Sequence, residues 1–540
     1  MRRCGIAPET HIPVLTYSWL GYHDIPMRTP TLVSFLWHMH QPFYKDVVGN
    51  SYVMPWAYLH ATKDYLGMVE LSGEFPDVHQ TFNLVPSLIL QLDEYARGEA
   101  RDPLFDLAFT PAEALDDAGR SLVVEKFFPV PVRTMVDPYP RYADLLNRRR
   151  EQLSIQDLRD VQVWWTLAWM DEGRRPAALV EKGANFSIAD QQALRDLVLD
   201  TIRAVAPAYR RHQDAGAIEI STTPFYHPIL PLLVDSRVDD AAVPVDVHFP
   251  EDALEQLRRA RAFITRRFGR APRGLWPSEG SVSEAMAVLV AEAGFEWMAT
   301  DEGILAKSGV HVYDHDRWKL YRPYRRNAIT VFFRDRNLSD LIGFHYMHGA
   351  ARDSAEDLVR RLREIPEGSH VSIILDGENP WDYYPRSGRD FLRYVFEGIR
   401  REPALEAVTL SEAYDRLKSE PLDRLAPGSW AGANFGIWMG HAEDHEAWEW
   451  IVRAREALMS QKAVVTEERW NQAYEELLVA EGSDWMWWFG NDFTSESDAI
   501  FDSLFRRHIS NIYELIDIAA PDGLQYPIKK SLGGRNSVMV

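Results

Sequence analysis

The stretch Val371-Ser372-Ile373-Ile374-Leu375-Asp376-Gly377-Glu378-Asn379-Pro380-Trp381 reads as a buried strand that runs straight into a cluster of acids. Val371 to Leu375 is nearly all apolar, with β-branched residues, as a strand covered on both faces requires. Asp376 ends the run, and Gly377 and Pro380 discourage a helix from starting there, so this carboxylate is no ordinary helix-surface charge. The same pattern recurs along the chain. Thr31–Trp37 ends at His38, Val78–Phe82 at Asn83, and Ala217–Ser221 at Thr222 and Thr223. Arg273–Trp276 runs into Pro277, Ser278 and Glu279, Phe295–Ala299 into Thr300, Asp301 and Glu302, and Ile329–Phe333 into Arg334 and Asp335.

Between these runs lie amphipathic helical stretches at Glu251–Phe268, Ser283–Ala293 and Ala355–Ile365. Strands alternating with helices predict a parallel sheet, whose chemistry gathers at the carboxyl ends of the strands. Polar groups follow every strand, whereas a flat doubly wound sheet would use only one or two ends. The expected class is therefore α/β, a (β/α)7 barrel of distorted TIM type. The pattern sets an N-terminal extension over 1–30, a barrel over 31–410 with a helical insertion at about 84–213, a helical region over 411–520, and a tail over 521–540 that frays. A last strand is expected near Ala407–Leu410, and helices at Glu443–Leu458 and Glu467–Ala480.

Composition narrows the function. The 540 residues carry 59 Lys and Arg against 80 Asp and Glu, a net charge of −21, which disfavours nucleic acid and anionic membranes as partners. The single cysteine, Cys4, forms no internal disulfide and no thiolate metal cluster. No apolar stretch has the length of a membrane span, and the first 30 residues lack a signal-peptide h-region, so the cytoplasm is the expected compartment. Eighteen tryptophans, eight of them between Trp430 and Trp488, point to a cleft that stacks flat, uncharged, hydroxylated ligands such as sugars.

Two carboxylates stand out, Glu279 in Trp276-Pro277-Ser278-Glu279-Gly280 and Asp376 in the opening stretch, each beside an indole just past a strand. Glycosidic-bond cleavage uses such a pair: one acid protonates the leaving oxygen and one carboxylate attacks or stabilises the anomeric carbon. Glu378 is an alternative acid, and Asp376 is preferred because it directly ends the strand. His38 and His40 alternate along a strand and share a face. They suit packing at the barrel mouth, donors for sugar hydroxyls, or two ligands of a metal site that needs a third. His227 in Tyr226-His227-Pro228 lines the same mouth. Asp301 and Glu302 are read as helix caps, Arg334 and Asp335 as a salt-bridged pair, and Trp164, Trp165 and Trp169 as core of the insertion.

His40-Gln41-Pro42, the His227 loop, and the Glu279 and Asp376 segments stand in the order and rough spacing of glycoside hydrolase family 57, which the chain resembles. The resemblance extends to Asn83-Leu84-Val85-Pro86-Ser87-Leu88, Ala433–His441 and Asp484-Trp485-Met486-Trp487-Trp488, from about Thr31 to about Ile516. It implies a retaining α-glycosidase or transglycosylase on a (β/α)7 barrel, working without a metal or other cofactor on an α-glucan. It implies Glu279 as nucleophile and Asp376 as general acid/base. His38, His40, His227, Trp276, Glu378, Trp381, Asn434, Trp438, Asp484 and Trp485 are the expected substrate-binding residues. The motif variants look most like the α-amylase and amylopullulanase branch, with 4-α-glucanotransferase or branching activity as the alternative on the same scaffold. A metal-dependent barrel hydrolase of polysaccharide deacetylase type and a non-catalytic glycan-binding protein are the alternatives of other classes.

Overall fold

In the computed structural model, which describes residues 29–149, 153–238 and 244–530, seven parallel strands form a closed ring. They are β1 (Thr31–Met39), β2 (Gln80–Leu84), β3 (Ile218–Thr222), β4 (Gly274–Leu275), β5 (Trp297–Asp301), β6 (Ile329–Arg334) and β7 (His370–Asp376). Each pairs with the next, β7 pairs with β1 from Leu32–His370 to His38–Asp376, and the single pair Arg334–Ser372 closes β6 on β7. The expected (β/α)7 barrel is thus present. The late strand lies at Leu405–Ala407, where it flanks the amino end of β1 and takes no place in the ring.

Alternation along β1 separates two cores. Val33, Phe35, Trp37 and Met39 face the surrounding helices. Leu32 and Leu36 instead join Trp276, Trp297, Phe332 and Ile374 in a cluster that fills the bore, with Leu410 and Ala413 of the helix Leu410–Arg416 packed into it. The narrowest strand, β4, has two residues. An added Cβ on Gly274 would lie 1.9 Å from Trp297 Cζ2, so only glycine lets that indole cross the wall there.

After β2 the insertion is helical, as expected, from Pro86–Arg97 to the long Ile188–Asp214. Capping boxes Ser154–Asp157 and Ser187–Asp190 start two of its helices. Trp164, Trp165 and Trp169 are buried in its core. Beyond the barrel, Ala442–Gln461, Glu467–Ala480 and Asp498–Leu515 pack together. Gln256 donates to Leu478 O at 2.9 Å and Arg259 pairs with Glu475 at 2.7 Å, tying these helices to the barrel helix Pro250–Phe268.

Two expectations are corrected. The tail is anchored rather than frayed over 521–530: Ile528 is fully buried, its N–H reaches Asp502, and Lys529 donates to Trp488 O and Gly490 O. The rest of the expected tail, the extension over 1–28 and Cys4 lie outside the described residues. Arg334 and Asp335 do not pair with each other, because neighbouring residues of an extended chain point to opposite sides. Arg334 turns inward to Asp301 and Asp335 turns outward to Arg317. Among the described residues no helix is long and apolar enough to cross a membrane.

Substituting Gly274→Ala forces the Trp297 indole out of its seat. Overpacking of this kind costs about 1–3 kcal/mol, so a calorimetric scan will show a lowered unfolding midpoint, and an unchanged midpoint would refute the tight crossing at β4.

Candidate active site

Every strand of the ring presents its carboxyl end to one mouth, and the side chains gathered there come from distant stretches. His38 continues the inward face of β1, and its Nδ1 lies 2.7 Å from Asn83 Oδ1 at the end of β2. The same amide oxygen accepts from Thr223 Oγ1 at 2.7 Å, while Asn83 Nδ2 donates to Ser221 Oγ at 3.1 Å. Burial, then the neighbouring His40, pushes the His38 imidazole down to about 3, so it works as a neutral hydrogen-bonding group.

His227 sits in a left-handed turn (φ 60°) after β3, fully buried. Its ring stacks on His40 with centroids 3.8 Å apart and planes 17° apart, and lies 5.3 Å from His38. Burial and both other histidines hold its pKa well below the ordinary value. The stack is completed from the C-terminal helices. Ser483 N–H donates to His227 O at 3.0 Å, Ser483 Oγ lies 2.9 Å from His227 Nδ1, and Asp484 Oδ1 lies 2.7 Å from His40 Nε2. His40 Nδ1 and His227 Nε2 are buried without a hydrogen-bond partner among the described residues. Groups of this kind, left unpaired in the protein, are ready to meet hydroxyls of a ligand.

The segment after β4 carries the first carboxylate. Glu279 is left-handed (φ 57°, ψ 25°), as is Gly280 (φ 59°), and the Trp276 indole lies directly beneath, 2.8 Å from where a Cβ on Gly280 would stand. A left-handed glutamate is strained, and the surrounding contacts hold it. Trp430 Nε1–H donates to Glu279 Oε2 at 2.7 Å, and Trp430 N–H donates to Glu279 O at 3.0 Å. Trp430 packs edge-on against Trp276 at 5.2 Å, with the Arg334 guanidinium 5.4 Å from its ring centre.

Asp376 ends β7 and is partly exposed to the mouth. Glu378, two residues on, is buried, and its Oε1 accepts from His40 N–H at 3.1 Å and from Tyr65 Oη at 3.2 Å. Burial, then the charge of Asp376, raises Glu378 well above the usual carboxylate range. A buried, neutral Glu378 serves as a brace, which favours Asp376 as the reacting group.

The two carboxylates feel each other. Burial first and Asp376 second push Glu279 up to about 8, against the Trp430 hydrogen bond that lowers it. Asp376 is raised by burial, while His40, Arg334 and the Asn379 amide pull it down. Near neutrality these influences favour a proton on Glu279, while the neighbours of Asp376 work against the burial that raises it.

The remaining expected residues lie elsewhere. Trp276 is fully buried and supports the Glu279 turn. Trp381 is 1% exposed, donates to Gly377 O at 2.9 Å and packs on Trp37 and Tyr384, so it braces the turn after β7 from outside the ring. Trp485 is buried among Phe501, Phe505 and His508, Trp438 is buried near Trp487, and Asn434 accepts from Gly436 N–H at 2.7 Å in an exposed turn. Trp381, Trp438 and Trp485 are so buried that they offer no open face to a ligand. Of the run 485–488, Trp487 is the partly exposed member. Asp301 caps Glu302–Lys307 as expected. Trp430, Asn83, Arg334 and Ser483 were not singled out from the sequence as site residues. Trp430 carried a usable signal, since Pro427-Gly428-Ser429-Trp430 repeats the pairing of breaker residues and indole seen beside both carboxylates.

His40, His227 and Asp484 bring donor atoms within 4.8 Å of one another. Two imidazoles stacked 17° from parallel aim their in-plane lone pairs side by side, whereas a tetrahedral ion needs them to converge. The geometry suits a hydrogen-bonding wall better than a metal centre.

Fold and site together define a (β/α)-barrel with two carboxylates gathered at its mouth. The family model described as Glycosyl hydrolase family 57 matches residues 34–425, and the chain belongs to that family. It is 22% identical over 282 residues to an α-amylase of Pyrococcus abyssi, covering 50% of this chain and 36% of that one. It is 25% identical over 202 residues to a 4-α-glucanotransferase of Thermococcus litoralis, covering 36% and 27%. These matched stretches thus span about a third or less of the curated relatives. Among solved structures, a family 57 branching enzyme of Thermococcus kodakaraensis superposes with TM-score 0.58 at 15% identity, covering 90% of each chain. An α-amylase of Thermotoga maritima superposes with TM-score 0.57 at 16% identity, covering 91% of this chain and 93% of that one. At such identities these structures establish the fold.

Replacing Trp430 by Phe keeps the ring and removes the donor to Glu279. A hydrogen bond to a charged group contributes about 1.5–3 kcal/mol, so kcat/KM on any turned-over substrate falls about tenfold or more, and the alkaline limb of its pH profile moves upward. Unchanged kinetics would show that the indole N–H does not tune Glu279.

Proposed function

We propose that the protein is a retaining α-glucan-acting glycosidase of the α-amylase kind, cleaving α-1,4 bonds by double displacement. The observation that carries this reading is the pair Glu279 and Asp376 at one barrel mouth, where burial and the charge of Asp376 push Glu279 up to about 8. Glu279 attacks the anomeric carbon to form a β-glycosyl-enzyme. Asp376 protonates the departing glycosidic oxygen, then takes the proton from the incoming water or sugar hydroxyl. The wall of His38, His40 and His227 orients hydroxyls, and burial keeps His38 and His227 neutral beside the positive anomeric centre. Asp484, fixed on His40, supplies negative charge beside it. The names of the relatives, α-amylase, 4-α-glucanotransferase and branching enzyme, support an α-glucan substrate and leave hydrolysis and transfer as the two fates of the intermediate.

One observation favours a second arrangement of roles. In the free enzyme the neighbours of Asp376, His40 and Arg334, favour its ionised form, whereas Glu279 is pushed up to about 8. Electrostatics alone would then make Glu279 the acid. The hydrogen bond from Trp430 and the fixed left-handed backbone instead suit a carboxylate held for in-line attack. Azide rescue separates the two. With Glu279→Ala, azide replaces the nucleophile directly and yields β-glycosyl azide. With Asp376→Ala, azide resolves the glycosyl-enzyme and yields α-glycosyl azide. The opposite pattern would exchange the roles.

Glu279→Gln is expected to abolish nearly all turnover of maltoheptaose while leaving its binding close to normal, and near-normal turnover would refute the reading. Glu279 keeps its proton until the pH rises through about 8, so kcat/KM will fall there. An alkaline limb below pH 6 would contradict that coupling. Products longer than maltoheptaose would assign transfer, and shorter ones alone would assign hydrolysis.

A further inference from the structure

A cavity of about 490 Å³ opens on the outer side of the barrel wall, between the short helical turn Asp314–Leu320 and the end of the helix Ala351–Arg363. It is separate from the catalytic mouth. Arg334 turns inward under Trp430, and the next residue, Asp335, turns outward to line the cavity, so the wall of β6 stands between the two. Its volume falls in the range of about 300–1,000 Å³ usual for small-molecule sites.

The lining is aromatic and hydroxyl-seeking. Trp318 leaves 42% of its surface exposed, unusually much for an indole, with the Arg322 guanidinium 4.6 Å from its ring centre. Tyr321 stands beside it, its hydroxyl 3.1 Å from Asp335 Oδ2. The His315 ring and the Asn337 amide, both exposed, make no hydrogen bond to other described residues. The charges that line the cavity are matched: Arg317 by Glu302 and Asp335 at 2.7 and 2.9 Å, Arg361 by Asp357 at 2.7 Å, and Glu364 by Arg360 at 2.5 Å. A platform of exposed indole and tyrosine, ringed by uncommitted polar groups and without net charge to bind an anion, fits a neutral polyhydroxylated ring.

We propose that this cavity is a second α-glucan-binding site, which grips one part of a long chain while another part occupies the mouth. The inference rests on the α-glucan reading of the catalytic site and adds to it a separate place of contact for polymer. Trp318 supplies the stacking face, and Asn337 and His315 meet the sugar hydroxyls. A long polysaccharide chain can engage both places at once, so the loss of this grip is read on polymer.

The test is retardation of the full chain in native gels containing amylopectin, set beside kcat/KM on maltoheptaose. Trp318→Ala is expected to weaken retardation about three- to tenfold, the scale of one aromatic contact, while kcat/KM on maltoheptaose stays within about twofold of wild type. Trp318→Phe, which keeps a stacking face, restores most of the retardation. Wild-type retardation in Trp318→Ala, with maltoheptaose still cleaved, would overturn the second site and leave the catalytic reading standing. A wild-type protein that neither cleaves maltoheptaose nor is retarded by amylopectin would overturn both.

Discussion

A ring of seven parallel strands stands only if its bore is filled, because the inward side chains of each strand have no other shell to bury them. Here Trp276, Trp297, Phe332, Leu36 and Ile374 fill it, and Leu410 and Ala413 of a late helix close its lower end. Burying aromatic side chains of this size contributes on the order of 1.5–3 kcal/mol each, which makes the bore a major source of the barrel's stability. The filling also fixes the chemistry. Trp276 is at once a bore residue and the floor beneath the strained Glu279 turn.

Above that floor the ring is polar, and its groups are kept in order by burial. Desolvation drives His38 and His227 to their neutral forms and raises Glu279, Asp376 and Glu378 together. Desolvation thus works against charge on all five groups. Arg334 opposes it at Asp376, while its aromatic neighbour Trp430 holds Glu279 by a hydrogen bond. The C-terminal helices complete the arrangement, since Ser483 and Asp484 lock the orientation of two of the three rings.

Much of this was legible in the chain. The strands around Ile373 and Phe332 could be read because both faces of a parallel strand are buried, which leaves a largely apolar run. The helices at Glu251 and Glu467 showed their apolar stripe. Both carboxylates showed themselves as acids placed among helix breakers at strand ends. The aromatic residues were harder to place. A tryptophan beside a motif looks the same whether it stacks on a ligand, as expected of Trp381 and Trp485, or fills a core, as both do. Composition signals bulk, whereas exposure depends on what packs against the ring.

The sequence by itself determined the ring and the placing of two carboxylates at its strand ends, because strand period, breaker residues and motif order are local properties of the chain. Only the tertiary structure decided which groups meet: that Trp430 reaches Glu279 across 151 positions, that Asp484 reaches His40 across 444, and that Arg334 turns away from Asp335. Such pairings depend on the shear of a closed barrel and on helices docking against it. They also set how far each carboxyl is desolvated, and hence where the catalytic proton resides.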